Sequence, residues 1–474
     1  MRLFKRGGGG STVSRSGAVD GRRVARRFRP ETAGLEGRSL LSTFTVTNTS
    51  GSVADRGSLP WAVQQANYQS PGLDFIKFAI PGAGPHVIHV TDTLYLNQQT
   101  VVDATTQPGY SGTPLVTIQG DGKPASLFLL HADSSGSTIR GFAMVGYTAN
   151  AVTIFNQSQG NWILNNYIGF AYDANGAATL NRTYPGAAQA AGLGIQSSFN
   201  TVRWNTISGV YNGVNIGGDG GATWDGTTYK TNAIQDNQIG TDPSGSTAAG
   251  FGNDSDGIFL WSGARENFIG PGNVLSGNKS SGVELLHSSN TVNVIFSNMI
   301  GVDRTGMKPI PNGELGVLIA GGGTYNVVGG PFGGNVVSAN VLGGINLGTS
   351  MWGGANGNWV QNNIVGLNLA QTAVVGTQQV GIGVESGSSY NSISNNVVGG
   401  NVYNGFVLSD ATGNYVGLND IGRAAGGASF PNVNYGVVLL NKSTQNWIWY
   451  NRFGSNGKGP VYSDSTSTSN AITT

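Results

Sequence analysis

The chain has 474 residues, of which 77 are glycine and none is cysteine; 38% are hydrophobic, 10% are charged, and the formal net charge is +1. So much glycine alone would favour disorder, but the apolar fraction together with 18 Phe, 16 Tyr and 9 Trp can bury a core, so a folded, turn-dense protein is expected. The lack of cysteine excludes disulfides, thiolate metal sites and cysteine nucleophiles, and no run approaches the ~18 apolar residues that a transmembrane segment needs.

The charge is unevenly placed. Residues 1–37 hold nine Lys or Arg against three acids, leaving 16 bases and 21 acids for the rest of the chain. A weakly acidic body makes no case for a nucleic-acid partner, and the basic segment 1–42, with "GGGGS" and "GRRVARRFRP", reads as a disordered leader for processing or export. Within it "LEGRSLL" (Leu35–Leu41) resembles the LEPR-XLL motif near the N-terminus of large repetitive extracellular proteins of planctomycete-type bacteria, with Gly37 where that motif has proline. The resemblance implies an extracellular or cell-surface location.

Residues 43–135 read as an N-terminal cap with the first coils of a repeat. An alternating strand from Thr43 leads into "SLPWAVQQAN", where Pro60 in the first turn after Ser58 predicts a short helix carrying Trp61, Ala62, Val63 and Ala66. Such a helix would close the open end of a solenoid, which otherwise presents unpaired strand edges.

From residue 136 to 460 the sequence repeats. Asparagines recur as N-x4-N in Asn161/Asn166, Asn200/Asn205, Asn232/Asn237, Asn358/Asn363, Asn391/Asn396, Asn414/Asn419 and Asn446/Asn451. Between the pairs stand glycine-led tetrads such as "GVNI" at 213, "GIFL" at 257, "GVEL" at 282 and "GVLI" at 316. Short β-branched strands of period two, parted by Gly and Asn turns at a 20- to 45-residue repeat, predict a solenoid with three short strands per coil. Around ten coils at about 4.8 Å each would make a rod on the order of 50 Å long. In such a stack each turn asparagine faces its own copies, and its amide can both donate and accept along the axis. The asparagines are therefore expected to be ladders, not a polar site. Residues 461–474 read as a disordered tail.

These repeats, with the N-terminal phrases "GSLPWAVQQAN", "LDFIKFAIPG" and "TTQPGYSGTP", resemble the right-handed parallel β-helix superfamily over residues 43–460. The resemblance implies an all-β, single-stranded right-handed parallel β-helix of the pectin-lyase-like kind. That superfamily includes pectate lyases, polygalacturonases, alginate epimerases, phage tailspikes and surface proteins without known activity, so the fold does not choose the function. The polygalacturonase strings "NTD", "GHG" and "RIK" do not occur, and "TDPSG" at 241 has serine where the epimerases' Asp-Pro-His segment has histidine.

Candidate site residues are those that depart from the repeat. Asp254 and Asp256 in "GNDSDGIFLW", with Asp219 and Asp225 in the inserted loop "GGDGGATWDGTTYK", make a weak set of ligands for calcium, the one cofactor the sequence suggests. Glu284 takes the outward position that Phe259 holds one coil earlier, and His287 follows it, so Asp256, Glu284 and His287 are the candidate catalytic groups. Trp224, Tyr229, Trp261 and Trp352 lie where coil regularity breaks and could stack on sugar faces. Trp162, Trp359 and Trp447 each follow a ladder asparagine and are expected to form a structural aromatic column. The leading expectation is a secreted or cell-surface β-helix protein, structural or glycan-contacting. The alternative is a lyase or epimerase working on acidic polysaccharide near residues 219–287. Whether the protein is an enzyme, and its oligomeric state, stay open at this level.

Overall fold

The computed structural model describes residues 41–68, 72–218, 223–224, 229–288 and 290–474; the leader up to residue 40, and with it all of "LEGRSLL" except Leu41, lies outside them. From Thr43 onward the chain winds into a single-stranded right-handed parallel β-helix. Three parallel sheets run along it, and each adds its strands in chain order. Sheet A runs from Thr43–Val46 to Ala471–Ile472, sheet B from His86–His89 to Arg452–Phe453, and sheet C from Leu94–Leu96 to Gly459–Ser463. Sheets B and C each contain thirteen strands among the described residues. Eleven strands of each follow residue 136, close to the ten or so coils expected there, and at about 4.8 Å per coil the whole stack is about 60 Å long.

The cap helix α1 (Leu59–Tyr68) is the sole α-helix among the described residues. The Ser58 hydroxyl accepts the Trp61 N–H at 3.1 Å, so the chain has a capped start there. Leu59, Ala62, Val63 and Ala66 recur at helical spacing and are buried against the first coils.

The interior is built one β-branched or leucine column at a time. Ile163, Val202 and Ile234 stack in sheet A, while Val214, Ile258, Val283 and Val317 stack in sheet C. All are fully buried.

Three corners carry amide ladders. The first runs Asn161, Asn200, Asn232, Asn267, Asn293, Asn326, Asn358, Asn391, Asn414, Asn446 and Asn470, each Nδ2 donating to the Oδ1 of the next. The second includes Asn166, Asn205, Asn237, Asn273, Asn298, Asn335 and Asn363. The third, between sheets B and C, links Asn253, Asn278, Asn312 and Asn340, then resumes through Gln378, Asn401, Asn432 and Asn456. Asn363 shows the full bonding pattern. Its Nδ2 donates to Val328 O at 2.9 Å and to Asn396 Oδ1 at 3.0 Å, while its Oδ1 accepts the Asn335 N–H at 3.0 Å and Asn335 Nδ2 at 2.9 Å. Every polar atom of the side chain is thereby satisfied.

The glycine that opens each sheet C tetrad is required for space. A Cβ on Gly316 would fall 2.3 Å from Val337 Cγ1 and 2.6 Å from the Gly344 carbonyl oxygen; Gly213 would meet the equivalent Gly257 oxygen and Ile239 Cγ2 at 2.5 and 2.6 Å. The third ladder and the sheet B core column close on this point together, and no side chain fits between them.

Two expectations are corrected. Residues 461–474 are not a disordered tail: the strands Gly459–Ser463 and Ala471–Ile472 pair with the coil before them, and Asn470 ends the first ladder. A polar Ser/Thr sequence is enough here because the coil below supplies its backbone partners. Trp162, Trp359 and Trp447 do share one outward column of sheet A, but Thr201, Ala233, Phe268, Val294 and Val327 separate the first two in register. They do not form a continuous stack.

Candidate functional site on the outer face of sheet C

Sheet C turns alternate residues outward. One outward row reads Asn215, Phe259, Glu284, Leu318 and Asn346 in consecutive coils. Glu284 is nonetheless buried, as is Asp256 at the entry to the preceding coil's strand. The Asp256 N–H donates to Asn212 Oδ1 at 3.0 Å, and its Oδ1 accepts the Ser281 N–H of the next coil at 2.9 Å. This backbone clamp aims the carboxyl toward Glu284, to which it is hydrogen-bonded.

Two neighbouring buried carboxyls do not both ionise readily, because burial penalises each charge and each charge repels the other. Burial first, and then the charge of Asp256 and its hydrogen bond, push Glu284 up to about 8, with Glu314 adding to the repulsion. Burial also raises Asp256, opposed by hydrogen bonds from the Ser281 N–H and from the Ser280 and Ser255 hydroxyls. Those donors favour the anion on Asp256, so the shared proton resides on Glu284 at neutral pH.

The other sequence candidates separate from this pair. His287 is exposed, with φ of 90°, and presents its ring to Trp352, centroids 6.4 Å apart and planes at 68°. Asp256, and not His287, is thus the partner of Glu284. Asp254, expected to share a cation with Asp256, is instead held by Lys279 Nζ at 2.5 Å and Arg182 Nη1 at 3.5 Å. Among the described residues no three His, Asp or Glu side chains converge as a metal would require. Asp219 and Asp225 lie outside the described residues; the backbones of Trp224 and Tyr229 pair in register in a two-stranded antiparallel hairpin, Thr223–Trp224 with Tyr229–Lys230.

Trp261 and Trp352 are 41% and 46% exposed. Both sit where the chain leaves sheet C, Trp261 one coil before Glu284 and Trp352 two coils after it. A Cβ on Gly217 would lie 2.3 Å from Trp261 Nε1, so the indole rests on the bare backbone of its neighbour coil. Further along the same face, Glu385 lines a cavity of about 230 Å³ with Asn346 and Leu315, and burial raises it against a hydrogen bond from Asn346. Sequence reasoning missed Glu385, whose signal is an acid at the outward position just past the "GIGV" tetrad. A larger cavity of about 870 Å³ lies at the cap, lined by Val63, Asn67, His89, Tyr95 and His131 among others. There His89 Nδ1 lies 2.9 Å from Asp121 Oδ2, and His131 stacks on Tyr95.

The family described as periplasmic copper-binding protein (NosD) matches residues 321–471. No curated protein matches the chain. The chain is similar in structure to the A-module of the mannuronan C-5 epimerase AlgE4 of Azotobacter vinelandii, at 14% identity over 91% of this chain and 100% of that one, with a TM-score of 0.49. It is also similar to the Dettilon tailspike protein, at 14% identity over 89% of this chain and 68% of that one, TM-score 0.43. A third is the DFA-IIIase of Arthrobacter chlorophenolicus A6, at 15% identity over 91% and 98% of the two chains, TM-score 0.42. No residue role is carried over from any of them. No described helix is long and apolar enough to cross a membrane.

Proposed function

We propose that this is a secreted or cell-surface β-helix protein that holds a glycan along the outer face of sheet C without transforming it. The supporting observation is that two exposed indoles, Trp261 and Trp352, stand where the chain leaves sheet C, Trp261 in the coil of Asp256 and Trp352 two coils after Glu284. An exposed ring offers an apolar platform for a sugar, and the carboxyl pair with His287 offers acceptors and donors between the platforms. Hydrolysis is disfavoured by the pair itself. Glycoside hydrolases hold their two carboxyls about 5 Å or more apart to admit the reacting bond, whereas Asp256 and Glu284 are in contact.

The proton held on Glu284 supports one second reading, a polysaccharide lyase or epimerase on acidic polysaccharide, because a carboxylic acid still protonated at neutral pH is a general acid. Copper does not fit the matched segment: residues 321–471 contain no histidine or cysteine and a single methionine, Met351. Calcium has no described cluster of carboxylates to receive it.

A glycan array tests the proposal. Binding of a sugar by the wild-type protein should be lost in Trp261→Ala with the melting temperature unchanged, and failure to bind any glycan would refute it. Release of unsaturated, ultraviolet-absorbing ends from uronic-acid polymers, abolished in Asp256→Ala, would establish the lyase reading instead.

A further inference from the structure

The outward face of sheet A changes character along the chain. In its N-terminal half it carries charges that pair between adjacent coils: Arg140 with Asp103 at 2.6 Å, and Arg203 with Asp236 at 2.7 Å. From Val327–Gly329 through Trp447–Trp449 its five strands contain no charged residue at all. Aromatic rings take over that half.

Two of these rings are presented in the same way. Tyr325 and Tyr390 each precede a first-ladder asparagine, with φ of 56° and 55°. A Cβ on Gly357, one coil after Tyr325, would lie 3.0 and 3.2 Å from its Cε1 and Cδ1; a Cβ on Gly413, one coil after Tyr390, would lie 2.9 and 3.1 Å from the same atoms of that ring. Each ring therefore lies across the bare glycine of the next coil, while remaining 56% or 70% exposed. Trp359 extends the first platform, its centroid 6.2 Å from that of Tyr325. Beside the rings runs a row of short polar side chains, Thr324, Asn356, Ser389, Thr412 and Thr444, bridged coil to coil.

Coils alternate here between a tyrosine and the glycine it covers, so the platforms repeat every second coil, about 9.6 Å along the axis. A repeat of that length along a straight axis matches a disaccharide step of an extended polysaccharide, which turns the same face to one side at every second sugar. The hydroxyl and amide row supplies hydrogen bonds to sugar hydroxyls, and the lack of charge on these strands fits a neutral polymer.

We infer that the C-terminal half of sheet A is a second glycan-binding surface, separate from the sheet C edge, that takes a neutral, extended polysaccharide lying parallel to the helix axis, with Tyr325 and Tyr390 as its stacking platforms. This inference does not depend on the sheet C reading.

The test uses the full chain and titrates cellohexaose, mannohexaose and chitohexaose by calorimetry, with oligogalacturonate as the acidic control. The informative variants are Tyr325→Gly and Tyr390→Gly, since Gly357 and Gly413 show that glycine serves at this backbone position. At least one neutral hexamer should bind, and its affinity should fall about ten-fold in each variant, the loss of one ring's stacking. Val433→Ala, at an exposed position between sheets B and C, should leave that affinity unchanged, and disaccharides, too short to reach both rings, should bind more weakly than hexamers. The proposal is overturned if no neutral hexamer binds, if oligogalacturonate binds equally well at this surface, or if the double glycine variant binds like wild type. It is also overturned if these rings prove to be the contact between two copies, seen as an oligomer in sedimentation that the double variant dissociates.

Discussion

Replacing Glu284 by glutamine is the most direct probe of the carboxyl pair. In the folded protein Glu284 keeps its proton up to about pH 8, whereas an unperturbed glutamate loses it near 4.5. Between those values the folded state binds a proton that the unfolded chain has released, so stability falls as pH rises. The contribution is complete below pH 4.5 and gone by about pH 8. At about 1.4 kcal/mol per pH unit the ceiling is about 5 kcal/mol, and because Asp256 shares the same proton the expected change is roughly 2–4 kcal/mol.

Glutamine retains a donor for Asp256 but cannot ionise. Urea denaturation followed by circular dichroism at pH 5, 7 and 8.5 should show the wild-type midpoint falling relative to Glu284→Gln, so that the variant becomes the more stable protein at pH 8.5. Midpoints are the safer comparison, since a long solenoid need not unfold as one unit. Two curves that run parallel from pH 5 to 8.5 would refute the shared proton and, with it, the contact between the two carboxyls.

Two further substitutions test the corners. Asn363→Ala strands the buried N–H and Nδ2 of Asn335, and at about 1–3 kcal/mol per orphaned group should cost roughly 2–5 kcal/mol in chemical denaturation, against about 1 kcal/mol for Asn470→Ala at the ladder's end. Gly316→Ala must displace Val337 or the Gly344 carbonyl and should lower the melting temperature far more than Gly353→Ala, which meets nothing within 4 Å despite its φ of 84°. Equal effects would show that the surroundings of Gly316 yield to a methyl group, and that lack of space does not fix the sheet C glycines.

The ladders were legible where loops do not intervene. N-x4-N marks a coil whose sheet A strand and turn keep a constant length, and it reveals both ladder positions at once. Asn267/Asn273 and Asn326/Asn335 escape that spacing because an extra Gly-Pro turn at 270–271 and the glycine-rich stretch 329–334 lengthen their turns. Asn293/Asn298 keeps the N-x4-N spacing. The third ladder is harder to see, because hairpin loops of unequal length stand between sheet B and its asparagine. Such a loop precedes Asn253 and Asn312, whereas Asn278 follows Val274–Leu275 almost at once. The site was legible as residues and not as contacts. Phe259 and Glu284 align by repeat, but that Asp256 reaches forward by a coil depends on the Ser281 N–H, which no pattern announces.

Backbone conformation links the corners to the surface. Residues that precede first-ladder asparagines adopt positive φ in coil after coil, Gly160, Phe199, Tyr325, Gly357, Tyr390 and Gly413 among them. The same holds before the second ladder, at Asn165, Trp204, Asp236, Asn395 and Tyr450. An L residue there costs roughly 1–2 kcal/mol that glycine avoids. Gly160, Gly357 and Gly413 show that the corner itself is satisfied by glycine, so the aromatic side chains at 325 and 390 are not demanded by the fold. Their rings recover part of the backbone cost by covering the glycine of the next coil, yet leave most of their surface in water. A ring that the corner does not require, that is held flat and exposed, and that recurs at a fixed axial step is a feature of the surface. On the inference drawn for sheet A, such a ring is a stacking platform in addition to covering the neighbouring glycine.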